Sequence, residues 1–326
     1  MPCPYEDVET RMFDAICLGI LVADAVARPI DSWPERGRLV LVPDMQLHTG
    51  GCAGNTAVGL ARMGFSVGII GKVGADGFGD FYLRAMQREK VDTTGIIADP
   101  SCHTSATMVI VHSDGERSFI HYLGANAGLR AEDANMGLVR KARLLHVAGA
   151  LLTPALDGEP CAGVLRAAKA AGIITAMDTA WDSTGRWMKA VAPCLPHVDY
   201  FVPSVEEARM MTGRKEPREV AQALLEAGAG TVALKMGTSG CYVRTRDREL
   251  RLPAYRVATV DATGAGDAFA AGFLAGVLLG WDLERTAKLA NAAGGLCTTA
   301  MGCTAGLRSL KETQALAERG EALPMG

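Results

Sequence analysis

Near its C-terminal end the chain reads Val260-Asp-Ala-Thr-Gly-Ala-Gly-Asp-Ala-Phe269, and residues of these types in this order can handle a phosphate. Gly264 and Gly266 lack a Cβ, so an anion can approach the bare backbone N–H groups closely. The helix that follows adds unpaired N–H donors and a partial positive charge. Asp267 has the wrong sign for a phosphate cradle. Beside a transferring phosphoryl group, however, a carboxylate can take the proton of an attacking hydroxyl. An acidic residue in a first helical turn also simply complements the macrodipole, with the glycines serving helix packing, and this stretch alone leaves both readings open. The chain contains no G-x-x-x-x-G-K-[ST] loop, and Phe269 stands where a dinucleotide fingerprint needs its third glycine.

A second candidate lies near the other end, in His48-Thr-Gly-Gly-Cys-Ala-Gly-Asn-Thr-Ala57. Gly50 and Gly51 permit close approach, and Asn55 offers a donor and an acceptor, as hydroxyl recognition requires. Asp24 follows an apolar run over residues 15–22, at the carboxyl end of a predicted strand where parallel sheets bind ligands. A carboxylate there can hold two vicinal hydroxyls. Asn55 as a helix cap and Asp24 as a solvated loop residue are the competing readings.

These residues need a frame. Apolar runs at 15–22, 66–70, 144–148, 173–177, 198–202 and 231–234 read as strands, with helical patterns at 56–62, 78–89, 163–171 and 206–211. The alternation predicts an α/β fold with a mainly parallel sheet and helices on both faces. Residues 38–42, 107–112 and 117–122 are β-rich with no helix between them, and Asp114-Gly115 is a hairpin signal. They predict a small separate sheet, drawn from segments near 36–48 and 105–124, placed to act as a lid.

The chain has 326 residues and a net charge of −3, which gives no electrostatic footprint for nucleic acid. Its longest apolar stretch, 268–281, is too short for a bilayer, which needs about 20 residues, so no membrane partner is expected. The first residues carry acidic side chains where a signal peptide needs a basic flank. Nine cysteines without a C-x-x-C pair read as reduced thiols in a cytoplasmic protein.

Several further motifs occur in one order along the chain: Gly19-x-x-x-x-Asp24, Gly50-Gly51-x-x-x-Asn55, Val73-Gly-x-Asp76-x-x-Gly79, Gly124-Ala-Asn-Ala127, Ser204-x-x-Glu207, Lys235-x-Gly237-x-x-Gly240 and Asp261-x-Thr-Gly-Ala-Gly-Asp267. Over nearly its full length the chain resembles the ribokinase-like, or PfkB, family of carbohydrate kinases. The resemblance implies one three-layer α/β/α domain over residues 1–326 with a mainly parallel sheet and a small β-sheet lid. It implies ATP-dependent phosphorylation of a small sugar, with Asp267 as catalytic base and the N–H groups of Gly264, Ala265 and Gly266 as anion hole. Asp24, Gly50, Gly51 and Asn55 would contact the sugar, and Lys235, Gly237 and Asn291 would line the ATP site. Lys235 ending its strand in solvent is the alternative. Mg2+ would come with ATP and be reached by Glu207 through water, although Ser204 replaces the family's usual asparagine and Ser204-x-x-Glu207 also spells a helix capping box. Asp261 matches a position that in some members helps bind K+. The lid can also join two copies into a homodimer.

A phosphorylated sugar wants a cationic clamp. Position 52, lysine in several relatives, is Cys52, and residues 50–57 contain no base. An unphosphorylated sugar is therefore expected, unless Arg117, Lys72 or a lid residue supplies the charge. A nucleoside kinase, with Phe119, Tyr122 or Trp181 against the base, and a non-catalytic sugar-binding protein on the same fold are the alternatives.

Overall fold

Strand β1 (Phe13–Gly19) is buried along almost all of its length, which suits a strand covered on both faces. Ile16 and Leu18 enter one apolar core, while Ala15 and Cys17 enter another on the opposite face. The computed structural model describes residues 12–113 and 116–324. The Asp114-Gly115 turn and the first eleven residues lie outside the described residues.

After β1 come β2 (Val22–Arg28), β3 (Asp44–Gly50), α1 (Cys52–Arg62), β4 (Val67–Gly74), α2 (Gly77–Arg88) and β5 (Asp92–Asp99). The middle of the chain contributes β6 (Ala106–Val111), β7 (Arg117–Tyr122), α3 (Met136–Val139), β8 (Ala142–Ala150), α4 (Glu159–Ala170) and β9 (Ile174–Thr179). Then follow α5 (Trp187–Val191), β10 (Tyr200–Phe201), α6 (Val205–Thr212), α7 (Pro217–Glu226), β11 (Thr231–Lys235), β12 (Cys241–Arg244) and β13 (Glu249–Leu252). Helices α8 (Ala265–Leu278), α9 (Leu283–Cys297) and α10 (Leu310–Arg319) close the chain.

The main sheet runs β13-β12-β11-β10-β9-β8-β1-β4-β5, parallel from β11 to β5 and antiparallel over its last two strands. Helices α4, α6 and α7 supply one core, and α1, α8 and α9 the other. This is a ribokinase-like α/β/α architecture. A separate sheet of order β3-β2-β6-β7 stands beside it, antiparallel except for the parallel pair β2 and β6.

Several strand boundaries shift from those read in the sequence, and two of the differences bear on the site. The apolar run 15–22 is not one strand: the chain leaves the main sheet after Gly19 and starts the small sheet at Val22, so Asp24 lies within β2 and not in a loop. Residues 38–42 form no strand, and Leu39 and Leu41 are exposed. The strand is Asp44–Gly50, later than the segment near 36–48 and more polar. Its register with β2, from Arg28 opposite Asp44 to Val22 opposite Gly50, is set by backbone pairing that runs up to the foot of α1.

Helix α8 carries the glycine-rich turn at its N-terminus, beginning two residues before Asp267. Nearly every side chain behind the first turn is buried, and α8 packs between α1 and α9. Such a helix is held on all sides, so its first turn is a rigid platform. Among the described residues no helix is long and apolar enough to cross a membrane.

Candidate active site

Gly264 is the N-cap of α8 with φ 78°, and a Cβ there would fall 2.4 Å from the Cys303 carbonyl oxygen. Only glycine fits this left-handed position against the 298–303 loop. The turn places Gly266 and Asp267 in the first helical turn, where backbone N–H groups have no acceptor within the helix. The Ala265 N–H is partly used, donating to the Ala262 carbonyl at 3.2 Å.

The two halves of the sequence pattern meet at Asp267. The Asn55 Nδ2 donates to Asp267 Oδ2 at 2.7 Å, across 212 residues of chain. Asn55 is buried in the first turn of α1, behind the N-cap Gly51, so it does not cap the helix. Its Oδ1 is buried with no protein partner among the described residues. An unpaired buried acceptor costs about 1 to 3 kcal/mol, which a bound hydroxyl would recover. Burial first, then the Asp178 carboxylate, raise the Asp267 carboxyl above its ordinary value, while Asn55 and Lys235 pull it part of the way back. A carboxylate with increased proton affinity is a better base.

Asp24 is buried on β2, and its Oδ2 lies 3.8 Å from the Cys303 thiol. Gly50 on the neighbouring strand leaves room for it, since a Cβ there would sit 2.1 Å from Asp24 Oδ2. Burial pushes the Asp24 carboxyl up to about 6, opposed by hydrogen bonds from Thr107 and Cys303 and reinforced by Asp267. Asp24, His48, Val109, Arg117, Asp261 and Cys303 are among the residues around a small cavity of about 20 Å³ between the small sheet and the 261–263 and 301–303 segments. Asp267 does not border this cavity but is close enough to Asp24 for the two charges to interact, which brings the two sequence-distant candidates into one neighbourhood.

Lys235 does not end its strand in solvent. Its Nζ lies 3.7 Å from Asp178 Oδ2 with the side chain largely covered, close to Gly266. Burial alone would make it lose its proton more easily, but Asp178, Glu207 and Asp267 outweigh this and keep the ammonium charged. Gly237 opens the short turn Gly237–Ser239 just beyond it.

Three other candidates are engaged elsewhere. The Asn291 Nδ2 donates to the carbonyls of Pro253 at 2.9 Å and Leu252 at 3.4 Å, tying α9 to the end of β13. Glu207 takes the capping-box role: its Oε2 accepts from Ser204 N–H at 3.1 Å and Thr179 Oγ1 at 2.9 Å, while Ser204 Oγ accepts from Glu207 N–H at 3.2 Å. Ser204→Ala is expected to cost about 0.5 to 2 kcal/mol, read as a lower midpoint in urea unfolding; an unchanged midpoint would mean the cap does not hold α6. Asp261 accepts from Thr263 N–H and Oγ1, from Gly302 N–H and from Arg117 Nη1.

Sequence reading missed Asp178 and the position of Arg117. Asp178 ends β9, fully buried, accepts from Gly149 N–H at 2.7 Å and links Lys235 to Asp267 electrostatically. Its only signal was an acidic residue at the carboxyl end of a predicted strand. Arg117 was noticed as a charge but not as the partner of Asp261.

Comparison with known proteins rests on the same frame. The model of the family described as "pfkB family carbohydrate kinase" matches residues 12–310. The chain belongs to the pfkB family of carbohydrate kinases. As a member it is an ATP-dependent carbohydrate kinase. It is 30% identical to Fructokinase-2 of Zea mays, covering 87% of this chain and 88% of that one. With 2-dehydro-3-deoxygluconokinase of Bacillus subtilis it shares 30% identity over 84% of this chain and 87% of the other. A PfkB protein from Polaromonas sp. JS666 superposes with TM-score 0.76 at 25% identity, covering 93% of this chain and 99% of that one. The ribokinase of Arabidopsis thaliana, solved with ribose and ATP, has TM-score 0.83 at 23% identity and covers 94% and 99%. An E. coli protein solved with ATP and magnesium reaches TM-score 0.82 at 24%, again covering 94% and 99%.

Proposed function

We propose that the protein transfers the γ-phosphoryl group of ATP to a hydroxyl of an unphosphorylated sugar, with Asp267 as the base. The observation that carries this reading is the hydrogen bond from Asn55 to Asp267, which puts the acidic residue of the glycine-rich turn beside the hydroxyl-binding groups of the other half of the chain. ATP supplies the phosphoryl group and carries Mg2+ on its phosphate oxygens, in keeping with relatives solved with ATP and with ATP and magnesium. Asp24 and the free Oδ1 of Asn55 orient the sugar, Asp267 takes the hydroxyl proton as the new O–P bond forms, and the N–H groups of Gly264 and Gly266 face the charge that develops on the phosphoryl oxygens. Lys235, kept charged beside Gly266, is placed to meet a terminal phosphate, and Gly237 leaves the backbone beyond it open to nucleotide. Asn291 reaches nucleotide only indirectly, by holding the end of β13. Glu207 would meet the magnesium through water from the capped start of α6.

Arg117 is engaged with Asp261, and Lys72 donates to the Gly128 carbonyl at 3.1 Å and pairs with Asp133 at 3.1 Å. Neither cation is free to clamp a substrate phosphate, which favours an unphosphorylated sugar. No Phe, Tyr or Trp is among the residues bordering the cavity, and Trp181 packs edge-on against Trp187, which leaves Phe119, exposed opposite Val109, as the aromatic on that face of the small sheet. ATP consumption measured over fructose, ribose, 2-dehydro-3-deoxygluconate and a nucleoside tests the reading. Sugar-dependent turnover supports it, preference for the nucleoside replaces it, and sugar binding without turnover leaves a sensor.

The small sheet acts as the lid, closing over the sugar and excluding water. Its outward face carries Leu47, Ala25, Met108 and Ile120 in one cross-strand row, and three of these are exposed large apolar residues. A homodimer through this row would cover them. Met108→Glu is expected to convert a dimer to a monomer in sedimentation; a monomeric parent protein would rule the dimer out. The eight described cysteines are all free thiols, in line with a reducing cytoplasm.

A further inference from the structure

Asp261 stands between the lid and the anion-binding turn. An ionised carboxylate offers about four lone-pair positions, and four donors already address this one. Oδ1 accepts from Thr263 N–H at 2.8 Å, Thr263 Oγ1 at 2.7 Å and Arg117 Nη1, and Oδ2 accepts from Gly302 N–H at 2.8 Å. Nearby, Thr298 O accepts from the N–H groups of Val260 and Asp261, and the Cys297 thiol, with one proton to give, lies 3.3 Å from Cys303 O and 3.6 Å from Thr263 O. The residues of this turn therefore do not fit K+: the guanidinium already stands on Oδ1 beside both Thr263 donors, so a cation approaching Asp261 would meet its positive charge.

We propose that Arg117 is a built-in cation for Asp261, delivered by the lid, so that the anion-binding turn is charge-balanced by the protein and needs no monovalent metal ion. The inference rests on the kinase reading for its link to turnover. Arg117 opens β7 in the small sheet, whereas Asp261 lies six residues before the base, and both side chains are mostly covered. Thr263, bound through both its N–H and its hydroxyl, leads straight into Gly264. Gly302, the fourth donor, precedes Cys303, whose carbonyl packs against the Gly264 turn. The guanidinium thus neutralises the residue that ties the 298–303 loop to the turn. Opening the lid removes that charge and leaves a half-buried carboxylate without its ion-pair partner, a costly arrangement. Closure of the lid and readiness of the turn become one event. Arg28 adds a second lid contact to the same loop, its Nη1 lying 2.9 Å from Met301 Sδ.

Sugar-dependent initial rates and melting temperatures should be measured in Na+, K+ and tetramethylammonium at constant ionic strength, for the parent protein, Arg117→Ala and Arg117→Lys. The parent is expected to turn over equally, within about twofold, in all three salts and to show no K+-specific rise in melting temperature. Arg117→Ala should lose about ten- to hundredfold in rate in tetramethylammonium. It should recover part of that in K+ and melt higher in K+ than in tetramethylammonium, because the small cation then takes the vacated place. Arg117→Lys keeps a charge at the position and should stay indifferent to K+. Strong K+ activation or K+-dependent stabilisation of the parent would overturn the proposal, as would an Arg117→Ala protein whose rate and melting temperature respond to no cation. If no sugar supports turnover in the parent, the proposed substrate and base assignment fails, while the melting series still decides whether Arg117 excludes a cation.

Discussion

Asp267→Asn is expected to lower kcat by about 10²- to 10⁴-fold, with circular dichroism and melting temperature close to those of the parent. Asparagine keeps a carbonyl oxygen that can accept the Asn55 amide, so the contact joining α1 to α8 survives. Its amide nitrogen cannot take a proton from a hydroxyl. Burial and Asp178 already disfavour the charged form of Asp267, so removing the charge does not weaken the fold. The loss belongs in kcat more than in KM for sugar, because the base acts as the proton moves. Activity within tenfold of the parent would remove Asp267 from the role of base. Asp267→Ala is the poorer test, since it also strands the Asn55 amide.

Asp24→Asn separates binding from stability. The carboxylate proposed to accept two sugar hydroxyls becomes a weaker, neutral acceptor, and loss of two charge-assisted bonds of about 1.5 to 3 kcal/mol each predicts a fall in kcat/KM of roughly 10²- to 10⁴-fold. The fold responds in the opposite sense. A carboxyl raised from 3.8 to about 6 by burial contributes stability below the unfolded value and loses it as pH rises through 6, so at neutral pH the ionised group is a net cost. Asp24→Asn is therefore expected to be more stable than the parent by about 1 to 3 kcal/mol at pH 7 to 8, with the advantage vanishing near pH 4. In the parent, KM for sugar should rise as pH falls through about 6, because the protonated acid accepts hydroxyls poorly. A variant equally stable and equally active at neutral pH would place Asp24 outside the site.

The glycine-rich turn and its helix were legible because two glycines ahead of an apolar, alanine-rich run mark a tight bend into a buried helix, while the stretch alone left the use of its carboxylate open. The alternation of the main sheet was legible for a similar reason, since strands covered on both faces read as unbroken apolar runs. The same property hid the step from β1 to β2. Residues on both sides of Ile20 are apolar and buried, so nothing in their character marks a change of sheet. Leu39, Val40, Leu41 and Val42 looked like a strand by propensity, but they have no backbone partner strand, whereas the polar Asp44–Gly50 pairs along the whole of β2. The contact between Arg117 and Asp261 spans 144 residues and has no local signature in either segment. It becomes visible only when the small sheet is set beside the segment leading into α8.

The bond from Asn55 to Asp267 also bears on the identity of the product. It occupies Oδ2, so of the two carboxylate oxygens only Oδ1 is left without that amide. A sugar presents several hydroxyls of similar reactivity, and a base with two open oxygens could reach more than one of them. On the proposed mechanism, with one oxygen taken and the ring fixed by Asp24 on β2, a single hydroxyl would have both the distance and the direction to give up its proton. The expected consequence is regiochemical: one phosphate ester from each accepted sugar, chosen by an amide supplied from the far end of the chain.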